Sequence, residues 1–253
     1  MAARRSNKRK RRNRGRFGGL YQLLSFVIIL AVVLAGCIVF FRVNEITVVG
    51  QGKYTAQQII DASGVQTGDN LFLINKARVA RQIYTGLPYV DEVNPRRVLP
   101  DQVILTVTEC TPAAVVQGGE GWWIIDAKGK LLEQVTTSQQ PGLAKVTGLQ
   151  ALLPAAGTPL SVAAEDVPRL DSLKQLMRAL TDRGMMERVT AIDLTGPADL
   201  LLSYDGRFTV KVPLSADYPQ KMRILEGVVA QLQPNEKGSI DLTREDKVYF
   251  DPE

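Results

Sequence analysis

From Phe17 to Phe41 the chain carries no charged residue, and Leu20 to Phe41 is an almost unbroken apolar run. As a helix rising 1.5 Å per residue, those ~22 residues reach roughly 33 Å, enough to cross the hydrocarbon core of a bilayer. A buried helix of a soluble domain rarely runs so long without one polar face, so the pattern predicts a membrane-spanning helix. Tyr21 and the Phe40-Phe41 pair sit near its two ends, where aromatic belts form.

Past the apolar run the period changes. Val43 to Gly50 alternates in the manner of a strand and ends on a glycine. Thr55 is placed to cap a helix over Ala56 to Ser63, with Ile59 and Ile60 as its apolar stripe and Gly64 as its stop. Leu71-Phe72 is expected to plug the core beneath the helices. Asn75 caps a second helix over Lys76 to Tyr84, where Val79, Ala80 and Ile83 share a face. Strands follow at Val90 to Arg97 and Gln102 to Thr108, joined through Leu99-Pro100-Asp101, and the predicted order is βααββ.

A second unit opens with Trp122 to Leu132, which reads as two strands around a turn with Gly129 in the left-handed position. Leu143 to Leu149 is a further strand candidate. Asp166 to Arg183 is helical, with Leu170, Leu173, Leu176, Met177 and Leu180 on one side and Gly184 at its end. A meander is predicted over Arg188 to Leu194, Leu200 to Tyr204 and Phe208 to Val212, the last two joined at Asp205-Gly206. A helix from Tyr218 to Leu232 and short strands at Ser239 to Leu242 and Lys247 to Phe250 close the pattern.

Charge adds a direction. Nine Lys and Arg residues fall between Arg4 and Arg16, and only Arg42 follows the apolar run closely, so the positive-inside rule places the amino terminus in the cytoplasm. Setting those ten aside leaves 21 basic against 26 acidic residues, an acidic body unsuited to gripping nucleic acid. The tail's charge also suits contact with anionic lipid headgroups, although fixing topology is the simpler role. Leu34-Ala35-Gly36-Cys37 has the form of a lipoprotein cleavage box, but Ile38-Val39-Phe40-Phe41 continues the apolar run where a polar linker would be needed, so an uncut helix is expected.

The chain contains no histidine, which removes the commonest general base and zinc ligand and every Ser-His or Cys-His nucleophile. Its two cysteines, Cys37 and Cys110, are too differently placed for a disulfide between them. Asp126, Asp193 and Asp241 each stand where a turn or strand end accounts for them, and Gly50-Gln51-Gly52-Lys53 lacks the spacing of a phosphate loop. The reading is therefore of a non-enzyme without cofactor or metal.

Val43, Ile46, Val48 and Gly50, then Gly64, Gly68 and Asn70-Leu71-Phe72, then Pro88-Tyr89-Val90, Arg96-Arg97, Pro100-Asp101, Val107, Glu109, Pro112 and Ala113 together resemble the polypeptide-transport-associated (POTRA) domain of the bacterial cell-division proteins FtsQ and DivIB. Trp123-Ile124-Ile125-Asp126 followed by Gly129 resembles the hairpin that opens that family's second domain. The weakest stretch of the resemblance is Gln134 to Glu165, which reads as variable connection. The resemblance implies an α+β chain: a basic tail (1–19), a transmembrane helix (20–41), a POTRA domain (42–111) and a mixed or antiparallel β-sheet domain with flanking helices (112–253). It further implies a divisome scaffold of the septal membrane that binds FtsB/DivIC-like and FtsL-like bitopic partners and helps regulate septal peptidoglycan synthesis. The family's partner site lies in its last strands, which maps here onto Lys247, Val248, Tyr249 and Phe250 as an edge open to strand addition. The alternatives are a POTRA-containing protein of polypeptide transport, which would be expected to carry several such domains or a barrel, and an envelope enzyme.

Overall fold

A computed structural model describes residues 17–50, 52–244 and 247–252. The basic tail, with its expected topological and lipid-binding roles, lies outside them. Helix α1 (Phe17–Phe40) follows directly from the apolar run. Over Gly19–Cys37 its mean hydropathy is 2.4 and none of it is buried, so α1 is long and apolar enough to cross a membrane.

The first unit is built from β1 (Glu45–Val49), α2 (Ala56–Ser63), α3 (Lys76–Gly86), β2 (Val90–Val98) and β3 (Gln102–Glu109), the expected βααββ order. Its sheet runs β1-β3-β2, with β1 parallel and β2 antiparallel to β3. Local chemistry sets the helix ends. Thr55 and Gln58 form a reciprocal capping box at the start of α2, Gly64 ends it at φ 68°, and the Asn75 carboxamide oxygen accepts from the backbone N–H groups of Ala77 and Arg78 to start α3. Ile59, Leu71, Val79, Ile83 and Leu105 fill the space between helices and sheet.

One expectation for this core needs correcting. Leu71 is fully buried, but Phe72 is 51% exposed. The backbone turns here, with the Phe72 N–H donating to the Asn70 side chain and the Leu71 N–H to the Phe41 carbonyl, so successive side chains point opposite ways. Phe72 instead meets Phe41 edge-on, at 4.9 Å between ring centroids.

The second unit carries a nine-stranded sheet. Its strands are β4 (Pro112–Gly118), β5 (Gly121–Asp126), β6 (Leu131–Val135), β7 (Ala144–Ala151), β8 (Val189–Asp193), β9 (Asp199–Tyr204), β10 (Phe208–Pro213), β11 (Gly238–Asp241) and β12 (Tyr249–Pro252). Two helices, α4 (Val167–Asp182) and α5 (Tyr218–Val229), complete it. The spatial order is β12-β11-β10-β9-β8-β7-β4-β5-β6. A strand at Pro112–Gly118 is not among the elements that the residue pattern predicts, whereas β7 covers the candidate at Leu143 to Leu149 and lies in the middle of the sheet, parallel to both β4 and β8.

A ladder of paired residues, Phe250, Ile240, Val210, Leu202, Ile192 and Val146, crosses from β12 to β7 on one face. Leu173, Leu176 and Met177 of α4 and Met222 and Leu225 of α5 share one buried cluster with that ladder. Burial of this face is the main source of the unit's stability.

The two units meet at a packed joint made by Tyr89, Cys110, Val115, Ile124 and Leu132, with Tyr54 and Trp122 at its margin. Lys128 Nζ bridges to Asp91 at 2.7 Å, Lys130 Nζ donates to the Val90 carbonyl at 2.7 Å, and Lys53 pairs with Glu133 at 3.1 Å. The Glu109 carboxylate accepts from the backbone N–H groups of Gly52, Lys53 and Tyr54, which closes the loop leading into the joint. Burial would raise the Glu109 carboxyl, but those three donors and the Lys53 charge outweigh it and hold the group below its ordinary value. A lowered folded value means that the stabilisation is present above the unfolded-state pKa of about 4.3 and is lost as pH falls through the folded value. Glu109→Gln is therefore expected to flatten the fall of the melting temperature on acidification below about pH 4. An unchanged pH profile would disprove the role.

Candidate partner-binding edge

β12 ends the nine-stranded sheet. It pairs antiparallel with β11 from Asp241↔Tyr249 to Gly238↔Pro252, and among the described residues no segment pairs with its outer side. In an antiparallel edge strand the alternate N–H and C=O groups point away from the sheet, open to another strand. The opposite edge is partly closed: the Leu131 N–H donates to Thr158 and the Leu131 carbonyl accepts from Gly157, so the loop after β7 covers the start of β6.

The side chains expected at this edge divide by their positions. Tyr249 is 46% exposed and Lys247 is exposed, whereas Val248 and Phe250 are half-buried and pack onto the main core. Phe250 contacts Phe208 edge-on at 6.2 Å between centroids. The strand itself starts two residues later than predicted, so Lys247 and Val248 precede it. The reason lies in β11, which stops at Asp241, whose carboxylate accepts from the Thr243 N–H at 2.8 Å and turns the chain away.

Two residues that the sequence reading passed over organise the edge. Arg244 donates to the Tyr249 hydroxyl at 3.1 Å and lies with its guanidinium carbon 5.0 Å from the ring centroid, which orients the exposed ring. Lys221 of α5 is 9% exposed, and its ammonium donates to the Arg244 carbonyl at 2.7 Å, tethering the loop that delivers β12 to the helix layer. A lysine among the polar positions of α5 carries no sequence signal for such a role.

The carboxylates weighed as catalytic candidates are engaged in turns. Asp126 accepts from the N–H groups of Lys128 and Lys130, Asp193 from that of Thr195 and Asp241 from that of Thr243. Asp91, Cys110 and Asp126 offer three ligand atoms within 4.8 Å of one another at the joint. Both Asp91 oxygens are bound by Lys128, and burial, partly offset by Lys130, pushes the Cys110 thiol up to about 12. A protonated thiol beside a lysine-paired carboxylate is a poor ligand set for a cation.

The FtsQ-type POTRA domain family model matches residues 41–109, and the model of the FtsQ/DivIB cell division protein C-terminal domain matches residues 114–243. The chain belongs to the FtsQ/DivIB family of cell division proteins. Similarity to individual FtsQ and DivIB proteins extends over most of it. A cell division protein FtsQ of Corynebacterium glutamicum is 27% identical over 186 residues, covering 72% of this chain and 78% of its own. A cell division protein DivIB of Clostridium botulinum is 23% identical over 249 residues, covering 95% of this chain and 93% of its own. A cell division protein FtsQ of Streptomyces coelicolor reaches 33% identity over 100 residues, covering 40% of this chain and 37% of its own. The FtsQ/DivIB domain match stops at residue 243, just before the edge strand. Among the described residues one helix, near the amino terminus, is long and apolar enough to cross a membrane, which suits a membrane-anchored member of this family.

Proposed function

We propose that this FtsQ/DivIB member is a single-pass scaffold of the division septum, with its amino terminus in the cytoplasm and residues 42–253 outside the membrane. It binds FtsB/DivIC-like and FtsL-like bitopic partners and helps regulate septal peptidoglycan synthesis, and it catalyses no step itself. The observation that carries the reading is the open outer side of β12, placed at the end of a sheet whose other edge is partly covered. A partner strand added there would gain main-chain hydrogen bonds from β12 and side-chain specificity from Lys247, Val248, Tyr249 and Phe250. Tyr249 supplies the aromatic anchor, and Phe250 holds the strand to the core.

Tyr249→Lys is expected to weaken partner capture by roughly 30-fold, the loss typical of removing an aromatic hot spot. Lys221→Met leaves Tyr249 in place but frees the Arg244 carbonyl, and a smaller loss is expected from the displaced loop. Both variants should keep the circular dichroism of the native fold. Titration of purified chains against reconstituted partner measures the effect, and full binding by Tyr249→Lys would remove the site.

A further inference from the structure

The end of the first unit that faces α1 carries a group of exposed apolar side chains that neither the core nor the edge uses. Leu73 is 79% exposed, Leu99 60% and Phe72 51%. They come from two separate loops, and the backbone gathers both around the exit of α1. On one side Val43 donates to the Asp69 carbonyl and Leu71 to the Phe41 carbonyl, fixing the loop that bears Phe72 and Leu73. On the other, Asn44 donates to the Asp101 carbonyl at 2.8 Å, fixing the β2–β3 turn that bears Leu99. The Arg97 guanidinium donates to the Ile74 carbonyl and ties the two loops together.

Sheet direction makes the placement firm. β1 leaves the helix exit at Glu45, and the parallel register sets Glu45 beside Gln102, the residue at which β3 starts. The β2–β3 turn is therefore at the α1 end of the sheet, while Glu109, the last residue of β3, is at the joint with the second unit. The patch is also continuous with α1 itself: Phe40 packs on Phe41 at 5.1 Å and Phe41 on Phe72 at 4.9 Å, with no linker between helix and domain. Exposed basic side chains lie nearby: Arg42 is bridged to Asn70, and Lys76 and Arg96 stand three residues from Leu73 and Leu99, while the acidic Asp69 and Asp101 of the same loops accept from the Gln66 N–H and the Asn44 carboxamide.

We propose that the first unit rests on the bilayer, with Phe72, Leu73 and Leu99 inserted among the lipid headgroups and upper acyl chains and the flanking basic side chains at phosphate level. The occupant of the patch is lipid because α1 brings the patch to that surface without a spacer. Aromatic and aliphatic tips with basic residues nearby also suit the amphipathic zone between water and hydrocarbon. Such docking would hold the whole outer body at a set height and angle above the membrane, which a flexible tether would not. The proposal rests on α1 being a membrane span, but not on the direction of insertion or on the partner edge.

The test uses the full-length chain in vesicles of phosphatidylethanolamine and phosphatidylglycerol, with Cys37→Ala and Cys110→Ala as background. Single cysteines carrying an environment-sensitive fluorophore are introduced as Leu73→Cys, Leu99→Cys, Ile29→Cys within α1, and Gln139→Cys on an exposed loop of the second unit. Quenching of the labels at positions 73 and 99 by lipids with a shallow doxyl group, several-fold stronger than at 139, is the expected result. If position 29 is quenched by a mid-chain doxyl group while 73 and 99 behave like 139, the docking is overturned and the membrane span stands. If position 29 escapes quenching as well, both are overturned. Protection of 73 and 99 from aqueous iodide without quenching by lipid would assign the patch to a protein contact and equally overturn the proposal.

Discussion

Gly148→Ala is expected to destabilise the second unit by about 3 kcal/mol or more, a large part of the stability of a typical domain. Gly148 lies within β7 at φ 84°, a backbone conformation that side chains disfavour, and a Cβ there would fall 2.5 Å from the backbone of Leu194 and Thr195. Those atoms cannot move cheaply. The Leu194 N–H donates to the Thr147 carbonyl at 2.9 Å, and β8, which ends at Asp193, is held by both β7 and β9. Since β7 joins the β4–β6 side of the sheet to the β8–β12 side, the strain falls where the sheet has no slack. Trp122 and Trp123 on β5 report unfolding of this unit, so denaturant titration followed by tryptophan emission measures the loss. A midpoint equal to that of the parent chain would refute the close approach.

Asp126→Ala is expected to cost about 3 kcal/mol and to uncouple the two units, because it removes two charge-assisted hydrogen bonds from a buried turn. Asp126 is 4% exposed, and its Oδ1 accepts from the Lys128 N–H at 2.9 Å and from the Lys130 N–H at 2.7 Å. Lys128 and Lys130 are the residues that reach across to Asp91 and Val90 of the first unit. Loss of the carboxylate thus strikes both the hairpin and the joint. Asp126→Asn keeps an acceptor oxygen in the same place and should recover much of the loss. Scanning calorimetry makes the comparison: in the alanine variant the transitions of the two units should move apart, and a single unshifted transition would contradict the argument.

Much of the fold was legible in the sequence because its signals are local. The caps at Thr55 and Asn75, the stops at Gly64 and Gly184 and the turns at Gly129 and Asp205-Gly206 act on hydrogen bonds and dihedral angles within a few residues, so residue type alone reveals them. The apolar run of α1 is equally self-contained. Strand β4 was missed because Ala113-Ala114-Val115-Val116 is a short, wholly buried run with neither alternation nor helical period, a pattern that arises where neighbouring strands and helices cover both faces. Strand β7 covers the candidate at Leu143 to Leu149, but its place between β4 and β8 depends on pairing with strands distant in the chain, which its own residues do not reveal.

At the candidate edge the division is the same. Lys247, Val248, Tyr249 and Phe250 could be read as a terminal strand, but not which of them face solvent, nor that Lys221, more than twenty residues earlier in the chain, holds the loop through Arg244. Composition and interactions between near neighbours suffice for the long apolar helix, the βααββ unit, the family and the acidic character of the body. Long-range pairing alone makes β12 the end of the sheet, with no strand on its outer side among the described residues, turns Phe72 outward rather than into the core, and brings Leu73 and Leu99 together beside the helix exit. Strand order and the meeting of distant loops depend on long-range pairing, whose energy comes from surfaces far apart in the chain, and no local pattern encodes which surfaces will meet.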